Sequence, residues 1–542
     1  MSIKRERLGG DWRVGALAAA LCFAAAMTAA QQPPAATAPQ AQAAPAGKIT
    51  PEQAKQLFAL VDELIKFSSE ETGLAIKSEV KRQITSRATV ESYLTQKFAE
   101  DESARRMQRD EIVLKKFGLL DRDFALKPFL LALLKEQIAA YYDSKTKTVY
   151  MLDWLGVDEQ RPVLAHELTH ALQDQHADLE KWTDQTPDDV SLNSSDDTSH
   201  LAKDEMDTAR VAVAEGQATA VMMDYMLKPK GMSMIKDPEI MDGLKEEMSG
   251  SENSPVLARA PLLLSESLIF PYREGLSFEQ DVWMDKGQEA AFAGTLDRPP
   301  TSSWEILNPR EYEKRHVPSV PLLPNIHPLV DKLYKPYDIG QMGQLDLHIL
   351  AEIYGGDQAA SDLTPAWDGG LYWAGQSLGA KTQAELASTN SIAFFYLSAW
   401  KNAASAEDFA RLYSSELGRK YSGVKLDMSA QGAGLADGAS ASPENLSQEQ
   451  VYTTNEGPVV ITTRGKLVFV AESFPLDLAR KLSALVLDAQ GAGELKMAQG
   501  AQPAALFREP DAGRTLTGGV IRFLSNCGVM KAAVSAAMQA GR

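Results

Sequence analysis

Apolar and polar positions alternate along this chain in patterns that predict distinct elements. From Thr50, placed to cap a helix beginning at Pro51, Leu57, Leu60, Val61, Leu64 and Ile65 recur at helical spacing. Residues 73 to 140 continue in that manner, and the run Phe129 to Leu134 is short enough to be a buried helix rather than a membrane element. At Ile138 the pattern changes. Tyr141-Tyr142 and Thr148 to Leu152, set about the polar stretch Asp143 to Lys147, predict a β-hairpin. A helix follows, starting between Asp158 and Pro162 and running through about Gln175, with Val163, Leu164, Leu168, Ala171 and Leu172 as its buried stripe. Polar residues 183 to 202 form a loop before a second strong helix, from about Lys203 to Leu227. Helical pieces broken by prolines run from about 237 to 420. Beyond a Gly, Ala and Ser rich linker, Val459 to Thr463 and Leu467 to Val470 make a second hairpin, and an amphipathic stretch runs from Leu476 to Leu487. No internal repeat recurs at a fixed period.

Composition narrows the class. A chain of 542 residues with 44% hydrophobic and 24% charged positions fits a globular protein of about three units and excludes collagenous, disordered or multi-span membrane chains. The net charge of −18, with no basic run interleaved with aromatics, argues against nucleic acid as a partner. Only Cys22 and Cys527 are present, which excludes a disulfide framework and any all-cysteine metal site.

The N-terminus reads as an export signal: Lys4, Arg5, Arg7 and Arg13 precede an alanine-rich apolar run from Val14 to about Ala30, with small residues before Gln31 for cleavage. The expected location is the periplasm or the medium, with no stable membrane insertion after cleavage. The expected organisation is a signal peptide at 1–30, a flexible Pro/Ala/Gln-rich linker at 31–48, an N-terminal helical region at 49–135 and a metal-binding core at 136–230. A helical region at 231–427, a linker at 428–448 and a small α/β domain at 449–542 complete it.

The chemistry is concentrated at His166-Glu167-Leu168-Thr169-His170. Helical positions four apart differ by only about 40° round the axis, so both imidazoles project from one face and can share one ion. Glu167 lies about 100° from His166 and can flank the same site. Imidazole is a good zinc ligand, and a carboxylate beside a metal-bound water can take its proton, which is the division of labour in metal-assisted hydrolysis.

Tetrahedral zinc then needs a further protein ligand, and two candidates compete. His176 stands at the spacing of the metzincin pattern, in which a glycine turns the chain back toward the metal. Here that position is Gln173, and a helix continuing through it carries His176 about 15 Å along the axis from His166. The other candidate is Glu215, a lone carboxylate in the run Val211 to Thr219 of small and apolar residues, where something must neutralise it. Asp204, Glu205 and Asp207 are weaker alternatives at the polar start of the same helix.

Over residues 136 to 227 the chain resembles the gluzincin metallopeptidases of the zincin superfamily. The phrases His166 to Gln175, Ala214 to Thr219, Phe270 to Gly275 and Pro299 to Ser303 also resemble a set of exported bacterial proteins with this signature. The resemblance implies one Zn2+ on His166, His170 and Glu215, with Glu167 as general base. With the element pattern it gives the expected fold class: mainly α with small β parts (α+β), a zincin-like core of a short β-hairpin or sheet plus two metal-bearing helices, surrounded by helices, and, from the pattern alone, a C-terminal α/β unit. One departure is Thr219, where many gluzincins carry an acid that orients the first histidine. For the oxyanion-stabilising group Tyr272, Arg273 and His316 stand open.

The first expectation is thus an exported zinc-dependent metallopeptidase acting on a peptide or protein substrate. The alternatives are a metzincin-type peptidase using His176, or a metal-binding scaffold or interaction protein without peptidase activity, its C-terminal domain serving a protein partner.

Overall fold

The computed structural model describes residues 48–490 apart from 101, 138–139, 184, 186–192, 237–239, 241–254, 317 and 431–446. The segment expected to be a signal peptide, 1–30, nearly all of the expected linker at 31–48, most of that at 428–448 and everything past 490 lie outside the described residues.

Helix α1 (Pro51–Thr72) begins where its cap predicts. Thr50 Oγ1 accepts the N–H of Gln53, Gln53 Oε1 accepts that of Thr50, and Gly73 ends the helix at φ 72°. The stripe Leu57, Leu60, Val61, Leu64, Ile65 is buried throughout. Helices α2 (Arg87–Glu100), α3 (Glu102–Phe117) and α4 (Leu126–Gln137) follow. The all-helical reading of 49–135 is corrected at one strand, β1 (Lys81–Thr85), which pairs in parallel with the strand Thr148–Leu152. Its sequence is mostly polar and half exposed, so pairing with a distant strand makes it extended where local pattern gave no sign.

The first hairpin forms as expected from β2 (Ala140–Asp143) and β3 (Thr148–Leu152), giving a three-stranded sheet in the order β1-β3-β2. Asp143 closes its turn by accepting from the Lys145 N–H at 2.9 Å and the Thr146 hydroxyl at 2.8 Å. Helix α5 (Val157–Ala177) lies against β2 and α1, with α6 (Leu179–Thr183) and α7 (Ser194–Leu201) after it. Helix α8 (Met206–Leu227) packs on α5 and on α9 (Leu262–Lys286).

The helical reading of 231–427 is corrected more widely. Strands β4 (Tyr334–Gln341), β5 (Trp367–Ser377) and β6 (Ile392–Trp400) run through it. With β7 (Lys425–Leu426), β8 (Ser447–Thr454), β9 (Gly457–Arg464) and β10 (Leu467–Glu472) they form one antiparallel seven-stranded sheet, ordered β4-β5-β6-β10-β9-β8-β7. Because β6 pairs with β10, the C-terminal hairpin completes a sheet begun before residue 427 instead of standing as a separate α/β unit. The physical reason is two-sided burial. Phe394, Tyr396 and Trp400 enter one core while Ala393, Phe395 and Leu397 enter another, so the strand reads as a continuous apolar run with no period.

The second core is closed by the last described helix, through Leu478, Leu482 and Val486. The first core is continuous from α1 through α5, α8 and α9 to the near face of the large sheet. The result is a mainly helical α+β fold with smaller sheets. No helix among the described residues is long and apolar enough to cross a membrane.

Candidate metal centre

Two helices carry the site. In α5 the pattern that predicts one apolar stripe understates burial, for every residue from Pro162 to Asp174 is buried. The polar residues His166, Glu167, Thr169, His170 and Gln173 therefore stand in the interior, where each needs a partner. Helix α8 supplies Glu215, 2% exposed and set between Ala214 and Gly216.

Small residues set this placement. A Cβ on Gly216 would lie 2.3 Å from the Gly275 carbonyl carbon, and one on Gly275 would lie 2.1 Å from the Ala212 oxygen, so α8 and α9 cross with backbones in contact. Gly275→Ala is expected to lower stability by about 1–3 kcal/mol or more, because no flexible side chain can yield to the new methyl. Urea unfolding followed by circular dichroism checks this; an unchanged midpoint would show that the crossing relaxes freely.

The three predicted ligands converge. His166 Nε2 lies 3.0 Å from Glu215 Oε2 and 3.0 Å from His170 Nε2, and His170 Nε2 lies 3.4 Å from the same carboxylate oxygen. Donor atoms about 2.0–2.1 Å from a tetrahedral ion would be about 3.3–3.4 Å apart, close to these separations. Two imidazole nitrogens and a carboxylate oxygen brought together in the interior favour a cation among them. Among the described residues this is the group of His, Cys, Asp and Glu side chains able to hold a metal ion. His170, at 8% exposure, is the member that reaches toward solvent.

Around the cluster, Glu167 Oε2 accepts the backbone N–H of Tyr142 on β2 at 2.7 Å, tying the carboxylate to the hairpin. The Tyr142 hydroxyl donates to Asp174 Oδ2 at 2.6 Å, and burial, with the Asp174 carboxylate adding to it, keeps that phenol protonated. Beside the hairpin, Tyr142, Lys147, Asp174, Gln175 and Lys77 are among the residues lining a cavity of about 210 Å³.

The other sequence candidates are placed elsewhere. Helix α5 runs unbroken through Gln173, and His176 in its last turn pairs with Asp297 at 2.8 Å, so the metzincin reading is set aside. Glu205 accepts from the N–H and hydroxyl of Ser303, and burial, then the nearby Asp346, pushes its carboxyl up to about 8. Asp204 accepts the Gln341 N–H, and Asp207 that of Gln185. Of the three oxyanion candidates, Tyr272 stacks near His166 with ring centroids 6.3 Å apart. Arg273 instead bridges Glu266 and Glu274, and His316 pairs with Glu311 at the surface. Sequence reasoning missed the part of Gln173, which faces His170 Nδ1 at 2.8 Å; its place one turn after that histidine was the available signal.

Comparison with family models, curated proteins and solved structures finds no match. The gluzincin resemblance is corrected on the site itself. What the structure supports is a His–His–Glu cluster on two helices. A four-residue interval between histidines is what any helix needs to offer two imidazoles to one ion, and so does not mark a family. The orienting acid of that family is also replaced by the buried Thr219.

Proposed function

We propose that this chain binds zinc at His166, His170 and Glu215 and uses the ion to hydrolyse peptide bonds. The observation that carries the reading is the convergence of two imidazole nitrogens and one carboxylate oxygen, all buried. Three protein ligands leave a tetrahedral ion one open position, as catalytic sites do and closed structural sites do not. When bound there, zinc supplies Lewis acidity and lowers the pKa of a water molecule.

The chain's own residues supply the rest. Glu167, next to a ligand and held by the Tyr142 N–H, is the base that takes the proton and later returns it. Burial strengthens the attraction between the Glu215 carboxylate and the ion. The charged start and alanine-rich run before Gln31 support a periplasmic or secreted location.

A second reading is a metal-binding scaffold or interaction protein without hydrolysis. It draws support from the burial of the cluster, since His166 and Glu167 are both 0% exposed. Zinc stoichiometry together with hydrolysis of a mixture of unstructured peptides, for wild type and Glu167→Gln, separates the two. The expected result is one zinc in both proteins and hydrolysis reduced at least about 100-fold in the variant. Zinc without hydrolysis in the wild type would favour the scaffold, and full activity in Glu167→Gln would end the hydrolase mechanism.

A further inference from the structure

A chain of buried amides leads away from His170. Gln173 Oε1 lies 2.8 Å from His170 Nδ1, and Gln173 Nε2 donates to the Ala214 carbonyl at 3.0 Å and to Gln217 Oε1 at 2.9 Å. Gln217 Nε2 donates in turn to the carbonyls of Ala291 and Phe292, each at 3.0 Å, and to Thr295 Oγ1 at 2.8 Å. The Thr295 hydroxyl lies 2.6 Å from the Ala291 carbonyl and 3.2 Å from Oε1 of the buried Glu279. Gln173, Gln217 and Thr295 are all 0% exposed.

The polarity of this chain is forced. Ala291 and Phe292 lie in the π-helical turn Ala290–Gly294, and their carbonyls can only accept. The end of Gln217 that meets them must be its NH2, so its oxygen faces Gln173. The end of Gln173 that meets that oxygen and the Ala214 carbonyl must also be NH2, so its oxygen faces His170. Facing an oxygen acceptor, His170 Nδ1 must carry a proton, which leaves Nε2, the atom toward His166 and Glu215, as the one whose lone pair a metal ion would take.

We propose that Gln173 and Gln217 are positioning residues for the metal centre, holding His170 as the Nδ1–H tautomer through a hydrogen-bond chain whose direction is set by the π-helical turn. This rests on the metal-binding reading above. It gives the π-helical turn a role, since the widened turn offers two neighbouring carbonyls to one amide. It also accounts for polar side chains in the fully buried contact of α5 with α8, where apolar residues would pack without needing partners.

The test uses the full chain with 15N-labelled histidine, the His170 resonances being assigned by their loss in His170→Gln. In the metal-free wild type His170 is expected to carry a proton on Nδ1, with or without a second on Nε2; an Nδ1 without a proton would overturn the proposal whether or not the protein binds zinc. Zn2+ affinity, measured by competition with a chelator, is expected to fall about 10–100-fold in Gln173→Met, which fills the space but offers His170 no acceptor. Gln173→Glu keeps an oxygen for His170 Nδ1 and is expected to stay within about tenfold of wild type. Met binding as tightly as Gln, or Glu binding worse than Met, would reduce Gln173 to core packing. Gln217→Met is expected to loosen zinc severalfold, and unchanged affinity there would remove Gln217 from the chain. Absence of zinc binding in the wild type would end the metal reading, while the tautomer measurement would still decide the polarity.

Discussion

Glu215→Ala is expected to weaken zinc binding by about a hundredfold or more, while His176→Ala stays within about threefold of wild type. Zinc sites with four ligands bind with about 10–16 kcal/mol, so one ligand is worth on the order of 3–4 kcal/mol, and each 1.4 kcal/mol is about tenfold. Glu215 Oε2 lies within 3.4 Å of both imidazole nitrogens, and a methyl in its place leaves a buried cation with only neutral ligands. His176 is held by Asp297 beyond the end of the cluster, on a helix that does not turn back. Dialysis against graded chelator followed by metal analysis ranks the two variants. Loss of zinc in His176→Ala with retention in Glu215→Ala would reverse the assignment.

Glu472→Leu is expected to cost about 3–5 kcal/mol of stability, through a site far from the metal cluster in sequence. Lys420 Nζ and Glu472 Oε1 meet at 2.6 Å with both side chains 0% exposed. Glu472 also takes the hydroxyls of Tyr413, at 2.7 Å, and Tyr421, and Lys420 reaches the Tyr413 oxygen at 2.9 Å. Burial pulls the Lys420 ammonium below its usual range, with Glu472 acting in the opposite sense. Removing the carboxylate strands that cation between aromatic rings and Phe394. The double variant Lys420→Met/Glu472→Leu is expected to be more stable than Glu472→Leu alone, because neither charge is then buried unpaired. Urea unfolding of the two variants measures the difference; a cost under about 1 kcal/mol for Glu472→Leu would mean that water reaches Lys420.

The sequence by itself determined whatever depends on spacing along one element. It placed the start of α1 at its Thr50 cap, both hairpins at their polar turns, and His166 with His170 on one helix face, since caps, alternation and 3.6-residue periodicity are local. It also singled out Glu215, because a carboxylate among alanines and valines is costly without a partner. Only the tertiary structure decided what depends on burial from two sides or on contact between distant segments. Strands β4 to β6 were hidden because both of their faces are covered, and β1 because its partner lies far along the chain. The same holds within the site. That Tyr142 holds Glu167, that Gly216 meets Gly275, and that Gln173 and Gln217 link His170 to a π-helical turn follow from the meeting of the hairpin, three helices and that turn, and no periodicity within any one of them encodes it.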